Sequence, residues 1–176
     1  MQRLPASAGD VAGTVVRLGL ASVWLISGVV KLFDPGETYL AVQAYQVLPA
    51  GMTGAVATAL PLVELVLGLL LVAGLGTQAA AVASAALLLV FIAGVTQAWA
   101  RGLSIDCGCF GGGGEVAPGQ TDYPKDLALD IGYLVLACWL VVRPRTRLAL
   151  DGALRGGDDV RSGTPREDRS QTHEEV

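Results

Sequence analysis

Charge is scarce in this chain. Asp, Glu, Lys and Arg make up 16% of its 176 residues, against roughly 25% in soluble proteins. The charge that exists gathers near the ends and after position 142, so the middle is almost neutral and much of the surface is not built to face water. No basic tract interleaved with aromatics occurs, which argues against a nucleic-acid partner. Histidine appears once, at His173. A metal site would need thiolates and carboxylates instead, so zinc is not expected. Cysteine appears three times, at Cys107, Cys109 and Cys138, and an odd count argues against a purely structural disulfide framework. The length suits one domain rather than two.

What is abundant is apolar: 52% of the residues. Four long apolar runs cover about 11–33, 54–75, 77–99 and 124–142. Arg17 interrupts the first, Glu64 lies within the second, the third carries no charge, and Asp126 and Asp130 fall in the first turns of the fourth. A helix rises about 1.5 Å per residue, so roughly 20 residues cross a hydrocarbon core of roughly 30 Å. The expected fold is therefore all-α, a bundle of four transmembrane helices in a cell membrane. It divides into a cytoplasmic segment 1–10, a membrane domain 11–145 and a polar tail 146–176. The first run is too long for a signal peptide and ends at Lys31, Asp34 and Pro35 without a small-residue cleavage site, so it is expected to stay as a helix. The tail is rich in Gly, Asp, Glu, Arg and Ser, lacks aromatics and is expected to be disordered.

Orientation follows from Lys and Arg in the flanks. Seven arginines, from Arg143 to Arg169, follow the fourth run, and Arg3 and Arg17 open the first. The opposite side offers Lys31, Arg101 and Lys125. Both termini are expected in the cytoplasm, with segments 34–53 and 100–123 outside. Within the first of these, Tyr39, Leu40, Val42, Tyr45, Val47 and Leu48 form an amphipathic stretch, closed by Pro49, expected to lie along the interface.

The outer segment after the third run carries Cys107-Gly108-Cys109, followed by Phe110 and Gly111 to Gly114. Thiols facing an oxidising compartment tend toward disulfides. One residue between two cysteines allows only a small, strained ring, and strained, exposed disulfides are the labile and catalytic kind. Gly108 removes a Cβ from that turn. An inert staple is the plainer alternative, although so short a loop constrains the unfolded chain little. Two thiolates could also hold soft Cu(I) in transit. Cys138 lies about fourteen residues into the fourth helix, roughly 20 Å from its outer end, and reads as a small apolar packing residue.

Glu64 sits mid-helix with Pro61 one turn earlier. A carboxylate at that depth marks a function or a buried pair, with Lys31 and Gln97 as candidate partners. A neutral glutamate serving packing alone explains it equally well. Lys31 to Pro35 also reads as an interface anchor and proline stop. Asp126 and Asp130 share a face of the fourth helix, the first favoured by the helix N-terminus and the second turned into the bundle.

In order, Gly28-Val29-Val30-Lys31 with Asp34-Pro35, then Tyr45 and Pro49, then Pro61-Leu62-Val63-Glu64, then Asp106-Cys107-Gly108-Cys109-Phe110-Gly111 resembles the MauE family of methylamine-utilisation membrane proteins, grouped with DoxX-like proteins. The resemblance runs from about Arg17 to Arg143. It implies a four-helix membrane bundle needed for methylamine dehydrogenase assembly, acting with a thioredoxin-like partner that forms or rearranges disulfides outside the cytoplasm. Carried onto this chain, Cys107 and Cys109 become the redox pair and Lys31 and Glu64 the supporting polar residues. Asp106, beside the pair, joins them on its chemistry, since its charge opposes thiolate formation. At Lys125 and Asp126 the chain departs from the family pattern, and no role is carried over. A wider analogy is with quinone-linked disulfide-bond enzymes such as vitamin K epoxide reductase. Those carry a Cys-x-x-Cys and a second pair, neither of which is present here, so a quinone cofactor stands by analogy alone. The expected function is membrane thiol–disulfide exchange. A non-enzymatic subunit or scaffold and a soft-metal carrier are the competing classes.

Overall fold

The computed structural model describes residues 8–108 and 113–143. The first seven residues, Cys109, Phe110 and the expected disordered tail lie outside the described residues. The element order is α1 (Ala8–Phe33), α2 (Pro35–Ala44), α3 (Ala50–Ala73), α4 (Thr77–Ala100), β1 (Ile105–Asp106), β2 (Gly114–Glu115) and α5 (Tyr123–Val142). The long helices α1, α3, α4 and α5 coincide with the four apolar runs to within a few residues. Three of them, over Gly9–Phe33, Gly51–Ala73 and Thr77–Ala100, are long and apolar enough to cross a membrane. The fourth, α5, has 20 residues and keeps Lys125, Asp126 and Asp130 in its first turns.

The long helices pack as two pairs, α1 on α3 and α4 on α5. Small residues set the first crossing. A Cβ at Gly68 would fall 2.7 Å from Leu25 Cγ, and one at Gly28 would fall 2.9 Å from Leu65 Cγ and 3.0 Å from the Pro61 carbonyl. Close backbone approach of this kind is how helices associate where water provides no driving force. The shared core draws Leu20 and Trp24 from α1, Leu67 and Leu71 from α3, Leu88 from α4 and Leu140 from α5. Trp24 donates its indole N–H to Ser84 Oγ at 2.9 Å, so the one polar atom of that ring is satisfied in the interior. The outside is apolar as well: Val15, Leu69, Val90 and Val135 are all more than 60% exposed or at that mark. Soluble monomers rarely carry so much outward-facing hydrocarbon.

Three expectations change, and the stretch after α1 gains a definite form. Arg17, counted among the flank charges, is buried, and its guanidinium donates to the carbonyls of Leu71 at 3.0 Å and Val72 at 3.5 Å. These carbonyls end α3, where the helix dipole favours a cation. Cys138 is exposed on the outside of the bundle rather than packed within it; Ala137 and Leu140 take the buried face of α5 instead. The stretch after α1 is a helix, α2, begun by Pro35 and capped by Asp34, whose Oδ1 accepts from the Glu37 N–H at 2.9 Å. It meets the bundle through the small residues Thr38, Ala41 and Ala44 and leaves Tyr39 and Leu40 outward. The all-α expectation also misses a short antiparallel hairpin, with Ile105 opposite Glu115 and Asp106 opposite Gly114.

Candidate functional site

The α1–α3 crossing brings Lys31 and Glu64 together. Lys31 Nζ lies 2.6 Å from Glu64 Oε1, with both side chains buried. Ser27, one turn before Lys31, completes a triangle: its hydroxyl donates to Glu64 Oε2 at 3.1 Å and accepts from Lys31 Nζ at 2.7 Å. Charges in a low-dielectric interior survive only when paired and hydrogen-bonded in this manner. Lys31 is thus an interior cation rather than an interface anchor. Gln97 is not its neighbour in the pair; its amide donates to the Tyr45 carbonyl at 3.0 Å. The helix α3 runs through Pro61 without interruption.

The cysteine segment is carried by the hairpin. Cys107 follows β1 and is half-buried among Tyr45, Ile105 and Leu127. Tyr45 donates its hydroxyl to the Cys107 carbonyl at 3.2 Å. Tyr45 is in turn fixed by Gln97 and by Arg101, whose guanidinium also reaches the Gln46 carbonyl and side chain. Gly108 is buried at φ +66°, a left-handed conformation that a side chain would oppose. Its N–H donates to Asp106 Oδ1 at 3.0 Å. Asp106 therefore shapes the turn that aims Cys107. At the other edge of the site Tyr123 closes the start of α5, donating to the Leu103 carbonyl at 2.6 Å.

Asp126 is the residue the sequence reading missed. Its carboxylate feels the Cys107 thiol and the charges of Asp106, Asp122 and Lys125. One turn deeper, Asp130 is buried, its Oδ2 has no hydrogen-bond partner among the described residues, and it interacts electrostatically with both Asp126 and Lys31. Polar groups thus succeed one another from the hairpin into the bundle: Cys107, Asp126, Asp130, Lys31, Glu64. The i, i+4 spacing of the two aspartates was the available signal. Only the folded hairpin shows that the first of them meets a thiol.

Beside this series lies a cavity of about 560 Å³ between α2, α3 and α4, whose wall includes both Lys31 and Cys107. Among the described residues no three His, Cys, Asp or Glu side chains converge as a metal site would require. Cys109 lies outside the described residues, so the pair is placed through Cys107 alone.

Comparison with known proteins agrees with the motif resemblance. A family model described as methylamine utilisation protein MauE matches residues 9–143. The methylamine utilization protein MauE of Paracoccus denitrificans is 40% identical over 99 residues, covering 56% of this chain and 53% of the relative. The match therefore spans about half the length of that relative. No solved structure matches the chain.

Proposed function

This chain belongs to the MauE family, and on that premise we propose that it is a multi-pass membrane protein that accepts electrons from a thioredoxin-like protein by thiol–disulfide exchange outside the cytoplasm. The observation that carries the reading is the Cys107 thiol, half-buried on a hairpin shaped by Tyr45 and Asp106, with the Asp126 carboxylate in electrostatic reach. In the oxidised state Cys107 and Cys109 share a disulfide. A partner thiolate attacks Cys107 Sγ, the S–S bond breaks, and Cys109 leaves with a proton from solvent. The partner's second thiolate then attacks its own sulfur in the mixed disulfide. Cys107 leaves and is protonated by Asp126, the partner departs as a disulfide, and this chain holds two thiols. The step is reversible, as all such exchanges are.

All four long helices cross the bilayer in this reading, including α5, whose charged first turns lie at the outer face. The seven arginines after α5 hold the C-terminal end in the cytoplasm. An even number of crossings puts the N-terminus on the same side and the hairpin outside. Lys31 and Glu64 support the site by fixing α1 against α3, and the chain serves methylamine utilisation as its relatives do.

The test is a trapping experiment in native membranes. In Cys109→Ser, the reverse step still lets Cys107 attack a partner disulfide but leaves no neighbour to resolve the adduct, and a mixed disulfide with a thioredoxin-fold protein should accumulate and vanish on reduction. An unchanged, adduct-free chain in Cys109→Ser, with function retained, would make it a scaffold.

A further inference from the structure

Electrons that reach Cys107 and Cys109 must leave again, and the cavity beside Cys107 is built for a lipid-soluble acceptor. Its volume, about 560 Å³, falls within the roughly 300–1,000 Å³ of small-molecule sites. Its walls are mostly apolar, with Val56, Leu60, Val90 and Phe91 among them. Val90 is 64% exposed on the outer surface of the bundle, so the cavity meets the bilayer rather than the aqueous phase at that edge. An occupant arrives from the hydrocarbon and must itself be largely hydrocarbon.

The polar groups on the wall say what its head must be. Lys31 has three N–H donors; among the described residues Ser27 and Glu64 accept two hydrogen bonds from it, and Lys31 itself lines the cavity, where a ligand oxygen can accept another. Its Nζ stands 5.6 Å from the centroid of the Phe91 ring, which offers a flat wall beside the cation. A ring ligand lying along Phe91 with an accepting oxygen toward Lys31 satisfies both. Cys107 on the same wall places a sulfur within the enclosure.

We propose that this cavity binds a quinone with an isoprenoid tail, one carbonyl oxygen accepting a hydrogen bond from Lys31, and that the quinone oxidises the Cys107–Cys109 dithiol. Two S–H bonds break and one S–S bond forms. Two electrons and two protons pass to the ring, each oxygen gains one O–H bond, and the quinol returns to the bilayer. Asp126, whose carboxylate feels the Cys107 thiol, takes that proton on its way to the ring. The electron-transfer half of the inference rests on the exchange reading above; the binding half rests on the cavity alone.

Purified full-length protein, reduced and freed of reductant under anaerobic conditions, is mixed with a benzoquinone bearing a decyl tail. Saturable quenching of tryptophan fluorescence reports binding, and ultraviolet absorbance reports quinol. Wild type should bind and yield one quinol per chain as two thiols disappear. Leu60→Trp, which fills the cavity away from the ion pair, should elute as wild type does yet bind at least tenfold more weakly. Cys107→Ser should yield no quinol. Equal binding by wild type and Leu60→Trp, or no saturable binding, means that the cavity holds only lipid acyl chains, and the inference fails. If that happens while Cys109→Ser still traps its partner, the exchange reading survives. Binding without quinol, together with no trapped partner, overturns both.

Discussion

Lys31 and Glu64 face each other across the α1–α3 crossing at 2.6 Å, buried and bridged by Ser27. The pair lies where Gly28 lets the two helices approach closely, one turn from Lys31 on α1 and against Pro61 on α3. Helix packing, ion pair and polar series are therefore one arrangement, and disturbing any part should be felt in the others.

Removing one charge leaves the other buried and unpaired. Lys31→Met or Glu64→Leu alone should each destabilise the protein by about 3–5 kcal/mol. The double substitution should lose much less than the sum of the two, because no orphan charge remains. Denaturation in detergent, followed by helical circular dichroism for the four members of the cycle, measures the coupling. Additive losses would mean that the two residues act separately.

Gly68 admits no side chain without movement of Leu25. Gly68→Val should therefore cost about 1–3 kcal/mol through overpacking and should lower activity indirectly, by separating Lys31 from Glu64. Gly132 on α5 has open space around it. Gly132→Ala is the matching control and should be neutral or mildly stabilising in the same denaturation assay.

Asp126 protonates Cys107 as it leaves the mixed disulfide in the proposed cycle. Asp126→Ala should slow resolution of that adduct by about 10²-fold, the usual contribution of one positioned proton donor. The adduct should therefore be visible on non-reducing gels even with Cys109 intact. Faster resolution would show that the carboxylate restrains the thiol instead.

The proposed topology predicts labelling from opposite sides. A membrane-impermeant maleimide applied to intact cells should modify reduced Cys107. A cysteine introduced at Arg147→Cys in a Cys107→Ser, Cys109→Ser background should react only after the cells are opened. The reverse pattern would invert the bundle.

Much of this was legible in the sequence because hydrophobic runs of membrane length have few other uses. The four long helices, the burial of Asp130 and the Lys31–Glu64 pairing follow from periodicity and from the cost of an unpaired interior charge. The hairpin did not. Two-residue strands carry almost no pattern, and nothing in a run of glycines marks Gly114 as the one that pairs with Asp106. Asp126 was missed for the same reason: a carboxylate in the first turn of a helix is explained by the dipole, and only the return of the chain through β1 and β2 brings Cys107 to it. Cys138 was misplaced because residue chemistry does not tell a lipid-facing position from a protein-facing one in a bundle that is apolar on both faces. Arg17 was misread because its partners are backbone carbonyls, and these carry no signature of their own.

The central claim is that Cys107 and Cys109 cycle between dithiol and disulfide. The most direct test is mass-tagging of thiols in native membranes, with and without prior reduction, using wild type, Cys107→Ser and Cys109→Ser. The account predicts that wild type carries both forms and shifts by two tags on reduction relative to its oxidised form, while either single substitution abolishes the two-tag shift. Two permanently reactive thiols, or a disulfide that persists unchanged while the protein functions, would contradict it.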